Sequence, residues 1–263
     1  MSAERQITGP VSPKKYLGQH FLTDGNIARK IVAGLQPEGQ YKHVLEIGPG
    51  MGILTELLLK DERFLTTVID IDEESTRWLH HHFPALEERI IHADFLRFNL
   101  AGRFSGEVGI IGNFPYNISS QILFKALEHR RQVPELVGMF QKEVAERVAA
   151  PPGNKIYGIL SVLLQAFYEI EYLFTVNPGV FHPPPKVRSG VIRLRRKENF
   201  QLDCDEKLFF EVVKAAFNQR RKTLRNALSR FKPAGKVDDA VLQLRAERLS
   251  VTDFITLTRQ LQV

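Results

Sequence analysis

Apolar residues recur along this chain at two periods, and the periods alternate. Ile27, Ile31, Val32 and Leu35 share one face of a 3.6-residue helix that starts after Thr23 or Asp24 as N-cap. Short continuous apolar runs then predict strands at 43–47, 65–71, 89–92, 108–111 and 135–140. Between them, amphipathic stretches predict helices at 53–60, 73–83, 118–129 and 141–149. Strands without interior polar positions are covered on both faces, and their alternation with helices implies a parallel sheet. A Pro-Pro-Gly-Asn break at 151–154 precedes a helix at 158–167 and a strand at 169–176. Phe181-His182-Pro183-Pro184-Pro185-Lys186 is a stiff extended segment. A strand at 190–195 follows it and completes the sheet with antiparallel pairing. From residue 205 only the helical period persists, at about 206–217, 221–231, 237–244 and 252–262.

The pattern divides the chain into a flexible basic arm (1–16), an α/β domain (17–200) and a small helical domain (201–263). About sixty residues make a marginal core by themselves, so the last piece is expected to dock. Charge sharpens this division. The formal charge is +6, and seven Lys or Arg but no Asp or Glu lie between Lys214 and Lys232, which suits a polyanionic partner. The single cysteine, Cys204, excludes an internal disulfide and fits a reducing compartment. No apolar core marks the first fifteen residues as a secretory signal, and the run 159–167 is too short to span a bilayer. A cytoplasmic protein is expected.

Glu46-Ile47-Gly48-Pro49-Gly50-Met51-Gly52 joins a predicted strand to a predicted helix. Glycines there let backbone approach a ligand closely. The third glycine of a dinucleotide fingerprint is absent because Ile53 holds its place, which disfavours a nicotinamide dehydrogenase. No Gly-x-x-x-x-Gly-Lys phosphate loop occurs either. Asp70 ends the next strand, where a carboxylate reaches ribose hydroxyls, and Asp94 after the third strand can accept from an adenine amine. No Lys or Arg lies between Val44 and Leu59. A phosphate-free adenine nucleoside with an amino-acid tail and a sulfonium fits this set: S-adenosylmethionine.

A second cluster, Asn113-Phe114-Pro115-Tyr116, ends an apolar run. An amide oxygen, a backbone carbonyl of Phe114 or Pro115 and a phenol ring can hold a planar base with an exocyclic amine. Phe181 is expected to sandwich that base against Tyr116, the alternative being a place in the core. His80, His81 and His82 are consecutive, so they diverge around a helix and read as surface residues rather than metal ligands; no metal site is expected. Trp78 reads as core.

With Gly18-Gln-His-Phe-Leu22, Phe181-x-Pro-Pro-Pro-Lys-Val-x-Ser189 and Phe217-Asn-Gln-Arg-Arg-Lys-Thr-Leu-Arg-Asn226, these motifs resemble the small-subunit ribosomal RNA adenine dimethyltransferases. The resemblance runs from about Lys15 to the end. It implies a Rossmann-like class I methyltransferase with a mostly parallel seven-stranded sheet and a small all-α C-terminal domain. The implied reaction dimethylates two adjacent adenosines near the 3′ end of small-subunit rRNA, coupled to subunit assembly. Implied cofactor contacts are His20, Leu22, Glu46, Gly48, Gly50, Gly52, Asp70, Asp94 and Asn113. Lys14, Lys15, Lys186, Arg220, Arg221, Lys222 and Arg225 are expected to meet RNA, on an immature small subunit, with the enzyme a monomer. Three positions depart from the family's habit: His20 replaces Asn, Asp70 replaces Glu in many members, and Phe114 replaces Leu or Ile. Competing readings are a large-subunit rRNA adenine methylase, which shares the glycine loop and the Asn-x-Pro-Tyr turn, and an assembly factor that acts by binding alone.

Overall fold

The computed structural model describes residues 11–233, 235 and 237–262. In chain order the elements are β1 (Phe21–Leu22), α1 (Gly25–Val32), β2 (His43–Ile47), α2 (Ile53–Leu59), β3 (Leu65–Asp70), α3 (Glu73–His82) and β4 (Ile90–His92). Then come α4 (Leu100–Arg103), β5 (Val108–Asn113), α5 (Ser119–Glu128), β6 (Glu135–Gln141), α6 (Lys142–Ala149), α7 (Ile159–Phe167) and β7 (Tyr168–Val176). The last are β8 (Phe181–His182), β9 (Ser189–Arg196), α8 (Glu206–Asn218), α9 (Leu224–Ala227), β10 (Lys232–Pro233), α10 (Asp239–Leu242), α11 (Val251–Arg259) and β11 (Leu261–Gln262).

Seven strands form one sheet in the order β4-β3-β2-β5-β6-β9-β7. The pairs from β4 across to β6 are parallel, and β9 runs antiparallel to β6. The order reverses direction at β2, between β3 and β5, so the carboxyl ends of these strands open a crevice where open α/β sheets bind ligands. Side chains of β2 and β5 are almost wholly buried, as their unbroken apolar runs require. Asp24 caps α1 by accepting from the backbone N–H groups of Asn26 and Ile27.

The division of the chain differs from the expected one. One compact unit comprises residues 1–145 and 171–195; the other comprises 146–170 and 196–263. The segment at 146–170 therefore groups with the C-terminal helices. Helix α7 is buried on nearly every side, and it packs with α8 and α11 in that second unit. A helix apolar all round needs neighbours on all faces, which one sheet surface cannot supply. The second unit is not purely helical either, since β10 and β11 form a two-residue antiparallel pair. Its middle helices are single turns at 224–227 and 239–242 rather than the longer runs expected.

Of the expected flexible arm, residues 1–10 lie outside the described residues. Residues 11–16 are docked. Val11 is buried, Ser12 N–H donates to Glu74, and the Lys14 ammonium pairs with Asp72 and Glu74. A 3-10 turn at Lys15–Leu17 follows, closed by Gly18 in the left-handed region.

Candidate active site

Parallel strands deliver three polar residues of the site at their carboxyl ends. Glu46 is the second-last residue of β2, Asp70 the last of β3, and Asn113 the last of β5. The loop after β2 has positive φ at Gly48, Gly50 and Gly52. A side chain at Gly50 would meet the Phe21 ring at 2.7 Å, so that glycine admits a close aromatic wall. Gly52 does something else: a Cβ there would overlap Phe83 at 2.4 Å. It borders no part of the cavity described next, and its absent side chain serves packing of α2 rather than ligand contact.

A cavity of about 180 Å³ opens at this edge. Its wall includes His20, Phe21, Gly48, Gly50, Asp70, Asp94, Asn113, Phe114, Pro115 and Tyr116, with neither Lys nor Arg. Ile71, 51% exposed at the carboxyl side of Asp70, adds an apolar surface there. Glu46 and Leu22 border a smaller adjoining concavity that shares Phe21, Gly48 and Asn113 with the first. Leu22 is thus mainly core, packed with Ile31 and Val191, and touches the ligand region only through this annex.

The carboxylates are held under strain of solvation. Glu46 is 1% exposed, and its carboxylate accepts the Thr55 hydroxyl at 2.6 Å. Burial pushes its pKa up to about 8, against the lowering effect of Thr55. Burial likewise lifts Asp70 to about 6, although its oxygens accept backbone N–H groups from Asp72 (2.9 Å) and Gly50 (3.4 Å). Asp94 caps the 3-10 turn Phe95–Arg97 through Leu96 N–H at 2.9 Å. That turn is steadied from below by Lys125, whose buried ammonium donates to the carbonyls of Leu96 (3.0 Å) and Phe98 (2.6 Å). Neither Lys125 nor Ile71 is marked by a motif; a lysine inside an otherwise apolar helix face is the available sequence signal for the first.

Asn113 has its orientation fixed. Its Nδ2 donates to the His20 carbonyl at 2.8 Å, which leaves Oδ1 as the acceptor on a side chain that lines the cavity. The contact uses His20 backbone, so the identity of that side chain is not what positions the amide. The imidazole has its own partner: Nδ1 donates to the Pro183 carbonyl at 2.7 Å. Tyr116 is pinned by a 2.6 Å hydrogen bond between its hydroxyl and Ser189 Oγ, and its ring lies 5.5 Å from that of His20. The Pro115 carbonyl accepts Ile118 N–H at 3.3 Å. The Phe114 ring itself turns inward. It lies over the paired Gly112 and Gly138, where any Cβ would approach within 2.7 Å and 2.1 Å, and 5.0 Å from Phe140. Two facing glycines thus make the room that a phenylalanine needs at this position.

Phe181 does not reach the base site. It is 5% exposed, opposite Leu22 in the β1–β8 pair, and belongs to the core with Ile31 and Val176. Alternation along the strand sends His182 outward instead. The imidazoles of His80, His81 and His82 are on the surface, His82 stacked 3.6 Å from half-buried Trp78.

The expected RNA contacts divide. Lys15 and Lys186 are exposed, whereas Lys14 is spent on Asp72 and Glu74. Residues 219–223 form a turn between α8 and α9, not a basic helix. Arg220 donates to the Lys155 carbonyl and lies 3.9 Å from Glu247, and Arg225 pairs with Asp239 at 2.8 Å. Acids missing from the local sequence are supplied in space. Arg221 and Lys222 are exposed without a partner among the described residues. Beside them, a concavity of about 450 Å³ is lined by Gly153, Lys155, Arg220, Glu247 and Arg248.

The site residues fit S-adenosylmethionine. Buried Glu46 and Asp70 lack compensating cations, the wall has no Lys or Arg for phosphates, and Gly48 and Gly50 clear the approach.

Comparison with known proteins agrees with this chemistry. The family model described as "Ribosomal RNA adenine dimethylase" matches residues 11–262. A ribosomal RNA small subunit methyltransferase A from Cytophaga hutchinsonii is 60% identical over 95% of this chain and 98% of its own. A namesake from Flavobacterium johnsoniae is 55% identical over 96% and 97%. Among solved structures, a dimethyladenosine transferase from Plasmodium falciparum has a TM-score of 0.73 at 26% identity, covering 90% of this chain and 96% of its own. A 23S rRNA methyltransferase shares the fold at a TM-score of 0.68 and 24% identity, over 91% and 100%. The chain belongs to the ribosomal RNA adenine dimethylase family.

Proposed function

We propose that this protein dimethylates the N6 amines of two adjacent adenosines near the 3′ end of small-subunit rRNA, using S-adenosylmethionine. The observation that carries the reading is the fixed Asn113 amide, whose Nδ2 is tied to His20 so that Oδ1 is left as the acceptor on a side chain that lines the cavity together with the pinned Tyr116. An adenine amine is a poor nucleophile because its lone pair is delocalised into the ring. Asn113 Oδ1 and the Phe114 carbonyl accept its two N–H protons and favour a pyramidal nitrogen whose lone pair is free to attack. Bound against Glu46, Asp70 and Asp94, S-adenosylmethionine supplies an electrophilic methyl carbon and leaves as a neutral thioether. Asp70 is placed for the ribose hydroxyls, Asp94 for the adenine amine of the cofactor, and Glu46 for its positive charge. Tyr116 stacks on the target base, which leaves its own stack at a cost of a few kcal/mol. The nitrogen sheds its proton to water after transfer, because an alkylated adenine ammonium is acidic; no strong general base is needed.

In this reading exposed Lys15 and Lys186 of the first unit, and exposed Arg221 and Lys222 with the Lys155–Arg220–Arg248 concavity of the second, each meet phosphates of an immature small subunit, so binding should weaken steeply with salt. No helix of the described residues is long and apolar enough to cross a membrane, and we place the enzyme in the cytoplasm as a monomer. Labelled methyl transfer to isolated small and large ribosomal subunits tests the function. Label on the small subunit, located to two neighbouring adenosines by mass spectrometry, is expected; label on the large subunit alone contradicts it. Binding without transfer would instead mark an assembly factor.

A further inference from the structure

Tyr16 is the most solvent-exposed large apolar side chain in the described residues, at 77%. A ring of that size left in water contributes nothing to the fold, and covering it is favourable. Its position gives it a use. It lies in the 3-10 turn Lys15–Leu17, and the next two residues, Leu17 and Gly18, line the active-site cavity. Gly18 abuts the catalytic turn: a Cβ there would stand 2.9 Å from Asn117 Oδ1 and 3.8 Å from the Tyr116 backbone nitrogen. The segment is anchored rather than loose. Lys14 pairs with Asp72 and Glu74, Lys14 N–H donates to the Gln19 side chain at 2.8 Å, and Gly18 N–H closes on the Lys15 carbonyl at 3.0 Å. Tyr16 therefore stands on an anchored turn, next in the chain to two residues of the cavity wall, and its ring has no partner among the described residues. Lys15 beside it is exposed and carries no ion pair there.

We propose that Tyr16 and Lys15 form a binding site for the nucleotide adjacent to the flipped adenosine. Extracting a base from its stack bares the face of its neighbour, and an exposed aromatic side chain beside the cavity wall can cover that face. Lys15 then meets the neighbouring phosphate. With two adjacent adenosines as targets, the same platform holds one while the other is methylated. The proposal rests on the rRNA reading above.

The test uses the full chain and small ribosomal subunits purified from cells lacking this methyltransferase, with initial rates of labelled methyl transfer. Tyr16→Ala should raise KM for subunits about tenfold, with KM for S-adenosylmethionine and Tm unchanged, and Tyr16→Trp should restore the wild-type value. Lys15→Ala should reduce the steepness with which subunit affinity falls as salt rises. A wild-type subunit KM in Tyr16→Ala overturns the platform, as does a parallel loss of cofactor affinity or of Tm, which would mark a structural role. Wild-type enzyme that leaves small subunits unmethylated overturns the underlying function instead, so the two failures are distinct.

Discussion

The two ends of the central sheet both bury carboxylates, and they treat them in opposite ways. At the amino end, Glu135 begins β6 and accepts from the Tyr41 hydroxyl and from Gln36 N–H, with Arg193 and Arg195 close enough to favour its charge. At the carboxyl end, Glu46 has only the Thr55 hydroxyl, and Asp70 has only backbone N–H groups and no cation. Burial raises the pKa at both ends. The difference lies in what borders the acid. Glu135 meets side chains of its own fold, whereas Glu46 and Asp70 border open cavities. On the proposed function, a buried acid without a compensating cation beside a cavity is a ligand's partner, and one met by cations and donors of its own fold is a strut.

The largest break in this comparison comes from Asn113, the residue proposed to meet the substrate amine. Asn113→Ala removes one acceptor for the amine and should lower kcat about 10²–10³-fold, the scale of losing one preorganised polar group. Cofactor affinity, measured by calorimetry, should change far less. Glu46→Gln keeps the shape and the Thr55 contact but removes the charge. S-adenosylmethionine affinity should fall about 10–100-fold, as for loss of a charge-assisted contact, while the apo protein gains thermal stability at pH 8. The counterpart at the amino end is Tyr41→Phe, which strips Glu135 of its hydroxyl donor. It should cost about 1–3 kcal/mol of stability in denaturant titration and leave cofactor affinity untouched. If Tyr41→Phe weakened cofactor binding as Glu46→Gln does, the two ends would not be functionally distinct.

pH sharpens the same contrast. A carboxyl group whose folded pKa is raised keeps its proton longer in the native state, so its contribution to stability is present at low pH and lost as pH rises through the folded value. For Asp70 that window runs from about 4 to about 6, and for Glu46 from about 4.5 to about 8. The cationic cofactor favours the ionised forms. Apo Tm should therefore fall between pH 5.5 and 7.5 while cofactor affinity rises, so the Tm shift caused by saturating S-adenosylmethionine widens. Affinity that stays flat across that range would show that neither carboxylate answers the ligand's charge.

What the sequence disclosed follows from how local each feature is. Strand runs and the glycine loop are contiguous, so β2, β3 and β5 and the acids at their ends were legible. Asp94 and Asn113 were legible for the same reason. Phe181 was not, because alternation in a two-residue strand gives no period from which to choose its face. The docking of residues 11–16 depends on Asp72 and Glu74, some sixty positions away, and charge composition alone made that segment a free arm. Arg220 and Arg225 likewise have partners that the local sequence does not show: Glu247 and Asp239 lie outside the acid-free run. The boundary near 146–170 was hidden because a helix apolar all round has no face that names its partner.

The smallest expected effect concerns Lys14, where the two treatments of buried charge meet. Asp72 has its side chain 1% exposed, caps α3 through Glu74 N–H, and donates its own N–H to Asp70. The Lys14 pair, with Gln19 Nε2 at 3.1 Å, holds its pKa below the ordinary value despite burial, so Asp72 behaves like a strut although it adjoins a ligand-facing acid. Lys14→Ala leaves that carboxylate with hydrogen bonds but without its cation, at a cost of about 1 kcal/mol in stability. Because Asp72 positions Asp70 and Lys14 anchors the segment that lines the cavity, KM for S-adenosylmethionine should rise about two- to fivefold, an effect of similar energetic size. Lys14→Arg should recover most of both. Were Lys14→Ala instead to raise only the subunit KM, the ammonium would be an RNA contact after all, and the docked segment would owe its place to Val11, Ser12 and Gln19.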